Sequence, residues 1–194
     1  PKTRFQRSRC WVEHPGNRSE LRASVGNDWT YETVWREGPG LGRQNNGPVL
    51  LIGDSRLAAS LEQRLDRPVI RLEEGELSRE GHVWSAPLAD TEAVSACVRE
   101  SGAQDVVLLS SPREEGAPSV EARGAARVAL AVLQAVATDP ALRCLCVTRH
   151  AVAVSPDDTV AGLEQAPLWG LSSVVAVELP DVHWRMVDVD GEND

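Results

Sequence analysis

An α/β fold, a parallel sheet flanked by helices, is what three features of this 194-residue sequence predict. Short apolar runs without alternation, Pro48-Val-Leu-Leu-Ile-Gly-Asp-Ser and Val106-Val-Leu-Leu-Ser-Ser-Pro, mark strands covered on both faces. Leu57, Leu61 and Leu65 line one side of a helix after the first run, and an Ala-rich helix over 120–138 follows the second. Strand and helix alternate, and right-handed crossovers then make the strands parallel.

Taken in order, residues 1–28 mix Arg, Gln, Asn, Gly and Pro with a few large side chains and hold no period. They read as a linker, with Phe5 and Trp11 as anchors against another surface. From Asp28 a period of two sets in, and Trp29, Tyr31, Thr33 and Trp35 predict a first strand over 29–36. A Gly/Asn-rich loop over 38–47 leads into the strand and helix already described. Pro68-Val-Ile-Arg-Leu is the next strand, and Glu73-Glu-Gly-Glu after it reads as a solvated turn. Val83, Trp84 and Leu88 form a weak apolar segment. Asp90 is an N-cap candidate with Glu92 in the first turn, and Gly102 ends that helix. After the 106–112 strand and a loop over 113–120 comes the Ala-rich helix. A β-rich run follows over 142–154, then a helix around Trp169-Gly170, then the strand Trp184-Arg-Met-Val-Asp-Val.

Composition excludes several classes. A net charge of −9 and a pI near 5.0 argue against a nucleic-acid partner, since phosphate binding needs clustered Lys and Arg. No apolar run approaches the roughly 18 residues that a membrane helix needs. The opening Pro-Lys-Thr-Arg-Phe-Gln-Arg has basic residues with no apolar stretch behind it, so no signal peptide is expected and the location expected is cytoplasmic. Cys10, Cys97, Cys144 and Cys146 lack the spacing of a zinc site or a disulfide framework. Cys144 and Cys146 sit two apart in a strand, share a face, and are expected in the core. No metal site is expected.

Each constellation that could carry chemistry fails. The first strand-to-helix turn, Ile52-Gly-Asp-Ser-Arg-Leu-Ala-Ala, is where a dinucleotide fold would place G-x-G-x-x-G. Here a single glycine is followed by Asp54, whose carboxylate would repel phosphate. A ketone reductase of the short-chain type needs a tyrosine acid beside a lysine. The only tyrosine is Tyr31, in the first expected strand, and the only lysine is Lys2, in the linker. No G-x-S-x-G elbow occurs. His14, His82, His150 and His183 are scattered, Asp157-Asp158 reads as a turn or cap, and Asp188 and Asp190 read as solvent-facing charge closing a strand.

Two stretches nevertheless resemble one family. Phe5-Gln-Arg-Ser-Arg-Cys-Trp-Val-Glu looks like the post-acyltransferase linker of modular type I polyketide synthases, P-F-Q-R-x-R-Y-W, with Arg4 where proline is usual and Cys10 where tyrosine is usual. Trp29-x-Tyr31-x-x-x-Trp35, Leu145-Cys-Val-Thr-Arg-His-Ala-Val and Gln165-Ala-Pro-Leu-Trp-Gly-Leu-Ser-Ser through Glu178-Leu-Pro180 resemble the structural subdomain of a polyketide synthase ketoreductase. The signature falls on Thr148, Arg149, Trp169, Gly170, Glu178 and Pro180, which are expected to hold the core. His150 stands where glycine is common and Ser173 where arginine is common.

The resemblance implies a truncated Rossmann-like fold, lacking the dinucleotide glycine loop, that binds no cofactor and has no catalytic residue. It braces a catalytic subdomain, which brings the glycine loop, serine, tyrosine and lysine and uses NADPH when the complete ketoreductase is active. Residues 1–28 would then be the linker to a preceding ketosynthase-acyltransferase didomain, 29–190 the structural subdomain, and 191–194 the start of the next connection. The strand with Trp29, Tyr31 and Trp35 would be the docking edge to the catalytic half. Acyl carrier protein is an indirect partner, and the parent synthase is expected to be homodimeric. Alternatives are an inactive pseudo-ketoreductase framing an inserted methyltransferase and a free-standing nucleotide-binding domain using the Gly53-Asp54-Ser55 turn. A third is a plain interaction module.

Overall fold

The computed structural model describes residues 46–110, 117–155 and 158–189. The expected linker over 1–28, the expected strand with Trp29, Tyr31 and Trp35, and residues 191–194 lie outside them. The described chain begins with β1 (Val49–Gly53), α1 (Ser55–Arg64) and β2 (Val69–Glu74), then a hairpin of β3 (Ser78–Glu80) and β4 (Val83–Ala86). It continues through α2 (Thr91–Ser101), β5 (Asp105–Leu109), α3 (Pro118–Val136) and β6 (Arg143–Arg149). A 3-10 turn (Leu163–Gln165) leads into α4 (Ala166–Glu178), and β7 (His183–Val189) follows.

One seven-stranded sheet results, in the order β3-β4-β2-β1-β5-β6-β7. Every pairing is parallel except β3 with β4. β1 lies inside the sheet, with Val49 opposite Val69 on one side and Asp105 on the other. Its apolar run is split by strand alternation. Leu50 and Ile52 enter a large core with α2, α3 and α4, whereas Val49 and Leu51 pack with Ala58, Leu57 and Leu61 of α1. All four residues are at most 3% exposed, so each contributes about 1.5–3 kcal/mol of burial.

The helix signals hold locally. Asp90 Oδ1 accepts from Glu92 N at 2.9 Å and Ala93 N at 3.3 Å, and Gly102 closes α2 at φ +62°. At the amino ends of the strands, Asp105 ties β5 to its flanks. It receives Arg67 Nη2 at 2.8 Å and Arg143 Nε at 2.7 Å, while Arg67 also donates to the Gly47 and Pro48 carbonyls.

The segment after β2 departs from expectation. Glu73 and Glu74 are strand residues, because Glu73 pairs with Ser85 and Glu74 with Ala86, and the Glu74 carboxylate accepts from Leu88 N at 3.2 Å. The turn begins only at Gly75. The weak segment at Val83 is β4, and a three-residue partner, β3, turns back on it at Gly81 with φ +61°. Arg79 lies 4.9 Å over the Trp84 ring and pairs with Glu100 of α2. Being short, charged and exposed, β3 guards this edge against further pairing.

Candidate functional site

In open α/β sheets, ligands sit outside the carboxyl ends of the strands, where the strand order reverses. Here that point lies between β1 and β5, the first followed by α1 on one face and the second by α3 on the other. The residues that form it are Gly53, Asp54, Leu109 and Ser110.

They close on one another. Gly53 has φ +111°, and a Cβ there would overlap the Leu109 carbonyl oxygen, so only glycine fits. Asp54 N donates to that oxygen at 3.2 Å, and Ser110 N donates to the Val147 carbonyl at 3.0 Å. The Asp54 carboxylate caps α1, its Oδ1 accepting from Arg56 N at 2.8 Å and Leu57 N at 3.0 Å. The helix N–H groups that would hold a pyrophosphate are therefore taken by a fixed negative charge. These residues do not fit a dinucleotide.

The second cluster lies at the carboxyl ends of β6 and β7. Thr148 is fully buried, and its hydroxyl donates to Asp188 Oδ1 at 2.6 Å while accepting from Trp169 Nε1 at 3.1 Å. Asp188 is directly opposite Thr148 in register and also accepts from Ala151 N at 3.0 Å and Val152 N at 3.1 Å. Gln165, 1% exposed, treats Arg149 as a strand neighbour. Its Oε1 accepts from Arg149 N at 3.2 Å and its Nε2 donates to Arg149 O at 3.1 Å. A Cβ on Gly162 would overlap that same carbonyl, so the 3-10 turn approaches β6 as closely as backbone allows. His150 between them adopts φ +49°, the left-handed conformation that favours glycine.

Of the expected signature residues, Thr148, Arg149 and Trp169 come together here. Trp169 is half-buried rather than enclosed, because its indole edge reaches the Thr148 hydroxyl at the end of the sheet. Gly170, Glu178 and Pro180 are exposed, which corrects their expected place in the core: Gly170 lies on the outer side of α4, and Glu178 and Pro180 at its solvent-facing end. Trp29, Tyr31 and Trp35 lie outside the described residues. Asp188 corrects the expectation of solvent-facing charge, since strand alternation turns it to the same side as Trp184 and Met186, toward α4. Asp158 does form a turn, accepting from Val154 N at 2.7 Å and Ser155 N at 2.8 Å.

Cys144 and Cys146 are buried on the core face of β6, as their spacing predicts. Burial pushes the Cys146 thiol up to about 12 and raises Cys144 well above its ordinary value, so neither is a thiolate nucleophile near neutrality. Among the described residues there is no cluster of three or more His, Cys, Asp or Glu placed to hold a metal. None of the described helices is long and apolar enough to cross a membrane.

Comparison with known proteins agrees with this frame. Residues 50–194 match the family model described as "Polyketide synthase extender module SpnB, Rossmann fold domain". Polyketide synthase GfsB of Streptomyces halstedii is 30% identical over 190 residues, covering 87% of this chain and 3% of its own length. Pikromycin polyketide synthase component PikAII of Streptomyces venezuelae is 26% identical over 214 residues, covering 100% of this chain and 5% of its own. The chain thus spans a small fraction of the relatives it matches. Among solved structures, a multidomain adenylation, ketoreductase and pseudo-Asub assembly of a keto acid-selecting NRPS module matches at TM-score 0.65 and 18% identity. That match covers 83% of this chain and 15% of the other. UDP-glucose 4-epimerase from Brucella ovis, in complex with NAD, matches at TM-score 0.58 and 10% identity over 73% of this chain and 51% of its own; at such identities both likenesses speak for the fold alone. With its seven-stranded sheet, its helices and the match over 50–194, the chain belongs to the family of Rossmann fold domains of polyketide synthase extender modules.

Proposed function

We propose that this chain is the non-catalytic structural subdomain of a polyketide synthase ketoreductase, bracing the catalytic subdomain during processing of the polyketide chain. The observation that carries the reading is the first strand-to-helix turn. The Asp54 carboxylate takes the helix N–H groups that would bind a dinucleotide pyrophosphate, and Gly53 is the one glycine in that turn. The cluster at Thr148 and Asp188 supports it, since its donors and acceptors are spent on one another rather than aimed at a ligand. A sequence whose only tyrosine and only lysine are Tyr31 and Lys2 supports it further.

A bracing role needs a face to brace with, and α4 offers one. From Ala166 to Val177 it carries no charged residue, and a helix apolar all round is normally buried all round. Leu168 and Val175 enter the core, but Val177 is 80% exposed and Val174 47%. Beside them Leu130, Leu133 and Ala137 of the α3 side join Leu171 and Leu179 in an apolar groove of about 240 Å³. The partner in this reading is the catalytic subdomain, which supplies NADPH binding and the reductive chemistry.

In the same reading residues 1–28 are the linker to a ketosynthase-acyltransferase didomain, 29–190 the subdomain, and 191–194 the start of the following connection. The strand with Trp29, Tyr31 and Trp35 adds a second docking element, acyl carrier protein is met only through the assembled module, and the parent synthase is a cytoplasmic homodimer. Calorimetry with NADPH and with S-adenosylmethionine tests the non-catalytic claim, and tight binding of either to this chain overturns it. Co-expression with the catalytic half tests the bracing claim, with a stable complex expected.

A further inference from the structure

Among the described helices, α1 carries Arg64 in its last turn and α2 carries Arg99, each a cation at the negative end of the helix dipole. α3 and α4 have no basic residue there, and α4 ends instead on Glu178, the one charged residue of that helix. A carboxylate in that position is repelled by the free carbonyls around it. Glu178 is exposed, and among the described residues it has no ion pair. Lying outside the core, it has no packing role to offset that repulsion.

The two uncompensated helix ends lie together. α3 leads into β6 and α4 into β7, and the first residues of those strands, Arg143 and His183, pair in register. Both helices therefore end at the amino edge of the sheet. Arg143 and His183 do not compensate them, because strand alternation turns these side chains to the opposite face, where Arg143 pairs with Asp105. The apolar groove follows the last turns of both helices, from Leu130 to Ala137 and from Leu171 to Leu179. Gln134 in its wall already accepts from the Thr91 hydroxyl at 2.8 Å, which leaves Glu178 as the one charged group of the lining.

We propose that this groove receives a large apolar side chain of the catalytic subdomain with a Lys or Arg beside it, and that the cation lands between the carboxyl ends of α3 and α4 and pairs with Glu178. The inference rests on the bracing role and names the chemistry of the contact. The space, about 240 Å³, suits a side-chain anchor and falls below the roughly 300–1,000 Å³ of a small-molecule site. A cation at its rim meets two sets of free carbonyls and one carboxylate, and such complementary charge fixes the register of the docked partner.

The test is photocrosslinking in the full-length parent synthase, from an aliphatic diazirine side chain at position 177, beside Glu178. The expected link falls in the ketoreductase catalytic subdomain, within a few residues of a Lys or Arg. Glu178→Lys should cut its yield by about five-fold or more. Glu178→Gln should cut it by about two-fold and remove the loss that 0.5 M salt otherwise causes by screening. In this chain alone, Glu178→Gln should leave the melting temperature unchanged or raise it, because a repulsive contact with the helix dipole is lost. A lower melting temperature would make Glu178 a structural residue and overturn the proposal. A link to the catalytic subdomain whose yield ignores Glu178→Lys overturns the cation and leaves the bracing role standing. A link to residues 1–45 of this chain or to a second copy, or no link at all, overturns the choice of occupant and the bracing use of this face with it.

Discussion

Gly53 passes so close to Leu109 that any side chain on it would run into the Leu109 carbonyl oxygen. The contact falls on the last rung of the parallel β1–β5 pairing, where the chain leaves β1 for α1. Gly53→Ala would combine a φ of +111° with that overlap and should cost about 2–3 kcal/mol. Urea denaturation measures it: the midpoint should fall with little change in slope.

The Thr148–Asp188 pair should behave as one unit. Asp188→Ala leaves two backbone N–H groups and the Thr148 hydroxyl without their acceptor, at an expected cost of about 2–3 kcal/mol. Thr148→Val should cost about 1–2 kcal/mol, because the indole N–H of Trp169 loses its acceptor. The double variant should fall short of the sum by more than about 0.5 kcal/mol, and strict additivity in a denaturant series would show the two side chains act apart.

Alkaline pH should unfold this chain through its core thiols. Cys146 is held up to about 12 by burial, against an ordinary value near 9.0, so the folded state favours the neutral thiol. Stability from this source is complete below about pH 9 and is lost progressively as pH rises toward 12, since only the unfolded chain ionises readily there. Cys144 shifts in the same direction by desolvation and adds to the effect. Cys146→Ala should flatten the fall in melting temperature between pH 9 and 11; an unchanged profile would contradict this account.

Val177→Glu separates folding from docking. With 80% of the residue exposed, the substitution should alter stability by no more than about 0.5 kcal/mol. Under the bracing role it should nonetheless abolish co-purification with a ketoreductase catalytic half. A destabilised chain, or an intact complex, would count against that use of the α4 face.

Much of the frame was legible from residue patterns alone. The unbroken apolar run at Val49 and the Asp90 and Gly102 caps each act through neighbours a few residues away, and the structure places them as their patterns require. The β3–β4 hairpin was not legible, because a three-residue polar strand owes its existence to Trp84, Arg79 and Glu100 meeting across the chain. The buried role of Asp188 is not legible, because the sequence does not announce that Thr148, forty positions away, is its partner. The one available sign was its alternation with Trp184 and Met186. Gln165 gave none, since binding the Arg149 backbone through a side chain leaves no pattern in the residues around it.

The order of strands across the sheet bears on synthesis as well as on stability. The first five strands of the described chain occupy five adjacent places in the sheet, and β6 and then β7 each add at its growing border. A polypeptide emerging amino end first can therefore complete a five-stranded half before the remainder leaves the ribosome, with neither β6 nor β7 needing to be inserted between earlier strands. Such vectorial assembly spares the nascent chain a long wait with unpaired parallel strands.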